Sequence, residues 1–193
     1  MEQNRFVRAF IAIELPSIIV KSLGEIQDNL RDTTNKITWV KPDNIHLTMK
    51  FLGNIETDKA HAIEKILKNI VSQISIGKLS VEGVGAFPTI NNPRVIWVGI
   101  EDDKNLLKIY TQLEDGLASL GFKKEDRPFK PHLTLGRVKF LKDKKGLKER
   151  LEKLADIKLA SFIVDSLILF KSELTPEGSL YTKLKEVKLD RNN

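Results

Sequence analysis

Cysteine is absent from these 193 residues. That excludes disulfides, thiolate nucleophiles and cysteine-ligated zinc or iron–sulfur centres, and it agrees with a reducing compartment. Histidine is nearly as scarce, with three copies. No HExxH pattern is present, so the zinc site built on it is missing. No Walker or dinucleotide glycine loop occurs; Gly83 and Gly85 are an isolated pair in a strand-like run. No GxSxG elbow presents a serine nucleophile. No apolar run approaches the ~18 residues that cross a bilayer. The first run, residues 6–13, is broken by Arg8 and lacks a small-residue cleavage site. It predicts a first strand of a cytoplasmic protein rather than a leader.

What is present is ordinary for a soluble globular chain: 41% hydrophobic and 30% charged residues. The net charge of +6 is unevenly placed. Between Lys123 and Lys158 stand thirteen Lys/Arg and six acids, a local surplus that exceeds the total for the chain. A basic region of this kind suits a polyanionic partner. For residues 142–153 alone, a solvated lysine-rich helix is the preferred reading of the charge.

Two of the three histidines open near-identical stretches. His46-Leu47-Thr48-Met49-Lys50-Phe51 is echoed by His132-Leu133-Thr134-Leu135-Gly136-Arg137. Both are apolar and β-prone, and side chains on a strand alternate faces. His and Thr therefore share one face in each stretch, and Leu with Met or Leu forms an apolar back. The spacing presents an imidazole beside a hydroxyl, twice.

The flanking pattern predicts strands over 5–14, 37–40, 45–52, 79–87, 94–100, 132–140, 158–170 and 180–188. Helices are predicted over 17–31, from about 58 to 74, over 103–120 and over 143–155. Gly53-Asn54 is read as the stop of the first motif strand, and residues 175–178 as a turn. The motifs lie 86 residues apart, and residues 9–13 match 95–99 at the same offset. The repeat divides the chain at about 1–90 and 91–189. The expected architecture is one α+β domain over residues 1–193. It is a bilobal internal duplication with two antiparallel-rich sheets, helices outside and a cleft between the lobes.

Two imidazoles titrating near neutrality suit general acid–base catalysis. A strained cyclic phosphodiester fits: one His activates water for in-line attack, and the other protonates the departing ribose oxygen. Thr48 and Thr134 would hydrogen-bond the non-bridging oxygens, and Arg137 would add a forked cation. Pseudo-symmetry leaves the order of acid and base open.

The doubled motif resembles that of the two-histidine (2H) phosphoesterases. The fuller pattern, His46/Thr48/Phe51 and His132/Thr134/Arg137, is similar to the RNA 2′,3′-cyclic phosphodiesterase branch, also called 2′-5′ RNA ligase. Residues 8–13, 39–42, 127–132 and 172–178 support the likeness, which covers essentially the whole chain. The resemblance implies hydrolysis of RNA 2′,3′-cyclic phosphate ends to 2′-phosphates with no metal or other cofactor. It also implies a reverse joining of tRNA halves, with His46 as proton donor and His132 as acceptor. Two other readings stand beside it: an RNA-end-binding module without turnover, and a small-molecule cyclic phosphodiesterase. No membrane and no obligate protein partner is expected, and the chain is read as a monomer.

Some residues admit plainer readings. Strict alternation turns Arg137 away from His132 unless Gly136 marks a bulge. The same parity assigns Phe51 to the core. Lys130, before Pro131, is read as an RNA contact at the cleft edge, against a solvated lysine. Trp39 and Phe87 are read as core before base-stacking, and His61 as a surface residue.

Overall fold

The computed structural model describes residues 5–74, 78–101, 105–176 and 178–189. The chain runs β1 (Phe6–Ile13), α1 (Ser17–Leu30), β2 (Lys36–Trp39), β3 (Leu47–Glu56), α2 (Lys59–Val71), β4 (Lys78–Thr89), β5 (Asn92–Glu101) and α3 (Asn105–Ala118). It continues through β6 (His132–Phe140), α4 (Lys144–Lys153), β7 (Lys158–Ile163), β8 (Ser166–Thr175) and β9 (Gly178–Lys188). The expected α+β duplication is present. All pairings among the described residues are antiparallel, in the order β7-β4-β5-β6-β3-β1-β8-β9, with β2 also on β6. The two expected sheets meet where the motif strands touch, at the pair Leu47↔Leu133, and so form one continuous sheet.

The spatial halves are not the sequence halves. Strand β4 of the first repeat pairs with β5 of the second, and β8 of the second pairs with β1 of the first. The helices cross over too. Gln27 of α1 bonds to Leu135 of β6, and Glu114 of α3 to Lys50 of β3. Each motif strand is therefore backed by the other repeat's helix. Behind the sheet, one core of buried Ile, Leu, Val and Met side chains runs through both halves, including Leu47, Met49, Leu133 and Leu135. The interleaving makes the halves interdependent, because neither buries its apolar surface without strands donated by the other.

Two local expectations are corrected. Strand β3 continues through Gly53, whose φ of 68° a glycine tolerates, as far as Glu56. The predicted strand 158–170 is two strands, broken at residues 164–165, and they pair at β4 and at β1 in opposite halves. A continuous apolar run hides the crossing. The turn predicted at 175–178 is bracketed by the pair Thr175↔Gly178, while Glu177 lies outside the described residues. No helix among the described residues is long and apolar enough to cross a membrane. Helix α4 buries Leu147 and Leu151, and its charges make i,i+4 pairs such as Lys148–Glu152 at 3.6 Å. That is the solvated-helix reading of its lysines.

Candidate active site

The two motif strands share a departure from regular pairing. On β3, Thr48 faces Ala12 and Lys50 faces Ile11, which leaves Met49 without a partner. On β6, Thr134 faces Trp97 and Gly136 faces Ile96, which leaves Leu135 without one. Each is a bulge at the third residue after the histidine, and a bulge reverses the parity beyond it. Phe51 and Arg137, five residues after their histidines, therefore return to the histidine face. Arg137 is exposed on that face. Phe51 is 60% exposed, so its assignment to the core is wrong. One strand's alternation cannot reveal a bulge that only the partner strand defines.

The front faces meet in a cleft of two adjoining cavities. One, of about 640 Å³, takes in His46, Phe10, Trp39 and Tyr181; the other, of about 880 Å³, takes in His132, Phe87, Arg94 and Arg127. Both are lined by Thr48, Phe51, Thr134 and Arg137. Lys130 is exposed on the His132 side of the cleft. Trp39 and Phe87 are half-buried and line the cleft as well. His61 lies apart, exposed on α2 beside Glu64.

Both imidazoles are anchored alike. His46 Nδ1 lies 2.8 Å from the carbonyl of Asn44, and His132 Nδ1 lies 2.7 Å from that of Lys130. A carbonyl only accepts, so Nδ1–H donates in each, and Nε2 remains to exchange a proton in the cleft. His46 sits just before β3 rather than within it, where it follows the 3₁₀ turn Pro42–Asn44.

The surroundings differ. The His46 ring stacks on Phe10 at 4.7 Å and meets the edge of Tyr181 at 5.3 Å. His132 meets Phe87 edge-on at 5.0 Å, with Arg137 beside it. Burial lowers the pKa of His46, opposed by the Asn44 carbonyl. Burial likewise lowers that of His132, opposed by the Lys130 carbonyl, and the Arg137 guanidinium lowers it further. Among the described residues, no three His, Asp or Glu side chains gather into a metal-binding group.

Behind the bulges, the two walls are braced by buried polar side chains. The Lys50 ammonium pairs with Glu114 at 2.7 Å and donates to the Lys123 carbonyl at 2.7 Å. Gln27, 1% exposed, donates to the carbonyls of Val40 at 2.7 Å and Leu135 at 2.9 Å. Sequence reasoning misses both braces; a lone polar residue on an apolar helix face is the only signal.

The model of the LigT-like phosphoesterase family matches residues 13–97 and again 98–181. The chain belongs to this family. It is a LigT-like phosphoesterase of the 2H type, and its two family repeats each bring one histidine motif. A curated relative from Methanocaldococcus jannaschii, an RNA 2′,3′-cyclic phosphodiesterase, is 39% identical over 93% of this chain and 99% of its own length. A second protein of that name, from Methanothermobacter thermautotrophicus, is 32% identical over 95% and 99%. The crystal structure of TT0787 of Thermus thermophilus aligns with a TM-score of 0.80 at 26% identity, covering 94% of this chain and 97% of that one.

Proposed function

We propose that the protein hydrolyses RNA 2′,3′-cyclic phosphate ends to 2′-phosphates by metal-independent acid–base catalysis between His46 and His132. One observation carries this reading: two imidazoles with matching Nδ1 anchors line a single cleft whose shared walls are Thr48, Thr134 and Arg137. The names of the relatives point to the same substrate.

Water enters on the His132 side. His132 Nε2 takes its proton as the water oxygen bonds to phosphorus. In line and opposite, the bond from phosphorus to O3′ breaks, and His46 Nε2–H passes its proton to that oxygen. The 2′-phosphate and a free 3′-hydroxyl remain. Charge gathering on the non-bridging oxygens is met by the Thr48 and Thr134 hydroxyls and by the Arg137 guanidinium. Lys130 offers a further contact to the strand at the cleft edge.

The surroundings favour this order of acid and base. Arg137 disfavours a proton on His132, as a base requires. The Phe10 ring face beneath His46 attracts a cationic imidazolium, the form an acid needs, and so works against the burial that lowers the His46 pKa. A 5′-hydroxyl in place of water would run the same proton transfers to a 2′-5′ linkage, which is the joining of tRNA halves. All these groups come from one chain, so the reading treats residues 1–193 as one catalytic domain acting as a monomer.

The test is turnover of an RNA bearing a 3′-terminal cyclic phosphate in EDTA, with identification of the product isomer. Expected is the 2′-phosphate at an undiminished rate. Release of a 3′-phosphate, dependence on an added divalent ion, or binding without turnover would each overturn the reading.

A further inference from the structure

Arg137 reaches the cleft because Leu135 is bulged against β5. The carbonyl of the bulged residue has two partners on its other side. It accepts from the Val40 N–H at 2.9 Å and from Gln27 Nε2 at 2.9 Å. The second N–H of the same Gln27 amide goes to the Val40 carbonyl at 2.7 Å. A single buried amide thus ties α1 to the end of β2 and to the bulged residue of β6. Gln27 is buried among Leu23, Ile26 and Leu30; both N–H groups of its amide are used, while its Oε1 has no partner among the described residues.

The neighbouring residue shows how tight the arrangement is. A Cβ on Gly136 would lie 2.9 Å from Trp39 and 3.0 Å from Ile37, so β2 packs directly onto the backbone of the bulge. With no side chain at 136 to reach back into the core, Gln27 reaches forward from the helix instead.

We infer that Gln27 is a positioning residue: by holding the Leu135 carbonyl it maintains the bulge that aims Arg137 at the phosphate beside His132. This rests on the catalytic reading above for its effect on rate, but not for its effect on the position of Arg137. Gln27 itself touches no substrate.

The experiment compares Gln27→Met, Arg137→Gln and the double variant. Met keeps the length and apolar contacts of Gln and removes both donors. Two readouts are taken. The first is steady-state kinetics on a cyclic-phosphate RNA. Arg137→Gln is expected to lower kcat/KM by about 10²-fold, and Gln27→Met by about 10-fold, chiefly in kcat. The double variant should be no slower than Arg137→Gln alone, because Gln27 acts through Arg137. The second is NMR titration of the two imidazoles, which needs no activity. Arg137→Gln should raise the His132 pKa by removing a neighbouring cation. Gln27→Met should raise it in the same sense and leave His46 unmoved.

Additive losses, or an unmoved His132 in Gln27→Met, would overturn the inference. Should Gln27→Met fail to fold, Gln27→Asn serves in its place. It keeps the amide but is one methylene too short to span both carbonyls, and the same two readouts decide. If no variant or wild-type protein turns over the RNA, the catalytic reading falls while the titration still tests Gln27.

Discussion

The His46 wall and the His132 wall are built on the same backbone device and dressed in opposite chemistry. Each has a histidine held by the carbonyl two residues before it, a threonine two residues after, and a bulge that returns the fifth residue to the cleft. On the His46 wall that residue is Phe51, and the ring neighbours are Phe10 and Tyr181. On the His132 wall it is Arg137, with Arg94, Arg127 and Lys130 nearby. A duplicated frame supplies two imidazoles anchored alike; the different residue at the fifth position makes their surroundings unequal. The braces differ in the same way. One wall sends Lys50 back from the strand to a helix carboxylate, and the other sends Gln27 forward from a helix to a strand carbonyl.

The sharpest way to break this comparison is to remove each imidazole. His46→Ala and His132→Ala should each lose about 10²–10⁴-fold in kcat on cyclic-phosphate RNA. They should then part company on an activated aryl phosphodiester, whose leaving group needs no acid. His46→Ala should recover most of its rate there, and His132→Ala should not. Equal recovery in both would erase the assigned difference between the walls.

Next in size is the brace. Lys50→Ala strands Glu114 as a buried charge, and loss of one member of such a pair costs about 3–5 kcal/mol. Urea denaturation should show a loss in that range, larger than for Gln27→Met, which removes only neutral hydrogen bonds worth about 1 kcal/mol each. A Lys50→Ala variant as stable as wild type would mean that the two braces are not the unequal pair their chemistry implies.

Phe51→Ala should cost less than Arg137→Gln in kcat/KM, about 3-fold to 10-fold, since an apolar contact is lost rather than a charge on phosphate. The reverse ranking would move the electrostatic burden to the His46 wall. Smallest is the pH effect. Both imidazole pKa values lie below the ordinary 6.5. The rate falls on the acid side as the base is protonated and on the alkaline side as the acid loses its proton. Two lowered values move the whole bell down, so kcat/KM should peak below 6.5. Arg137→Gln should shift its acid limb upward, by raising His132, and leave the alkaline limb in place.

Much of this is readable from residues alone. The doubled His-x-Thr spacing, its apolar back and the 86-residue offset point to the duplication and to the pairing of the motifs across a cleft. Gly136 hints at the bulge beside Arg137. Its twin at Met49 leaves no such mark, because a methionine there is as ordinary in a regular strand as in a bulged one. Strict alternation misplaces Phe51 for that reason alone. Gln27 and Glu114 show only as lone polar residues on apolar helix faces, because the partners that explain them lie 108 and 64 residues away.

Periodicity and repetition are local properties of a chain, so they determined which segments became strands and helices, and which side chains the two motifs offer to the cleft. Long-range pairing is not local. Which helix backs which motif strand, the exchange of β4 and β8 between halves, and the turn of Phe51 and Arg137 toward the histidines all depend on how one strand's backbone registers against another's. Only the folded sheet sets that register, because a ladder hydrogen bond has two ends and a sequence pattern describes one.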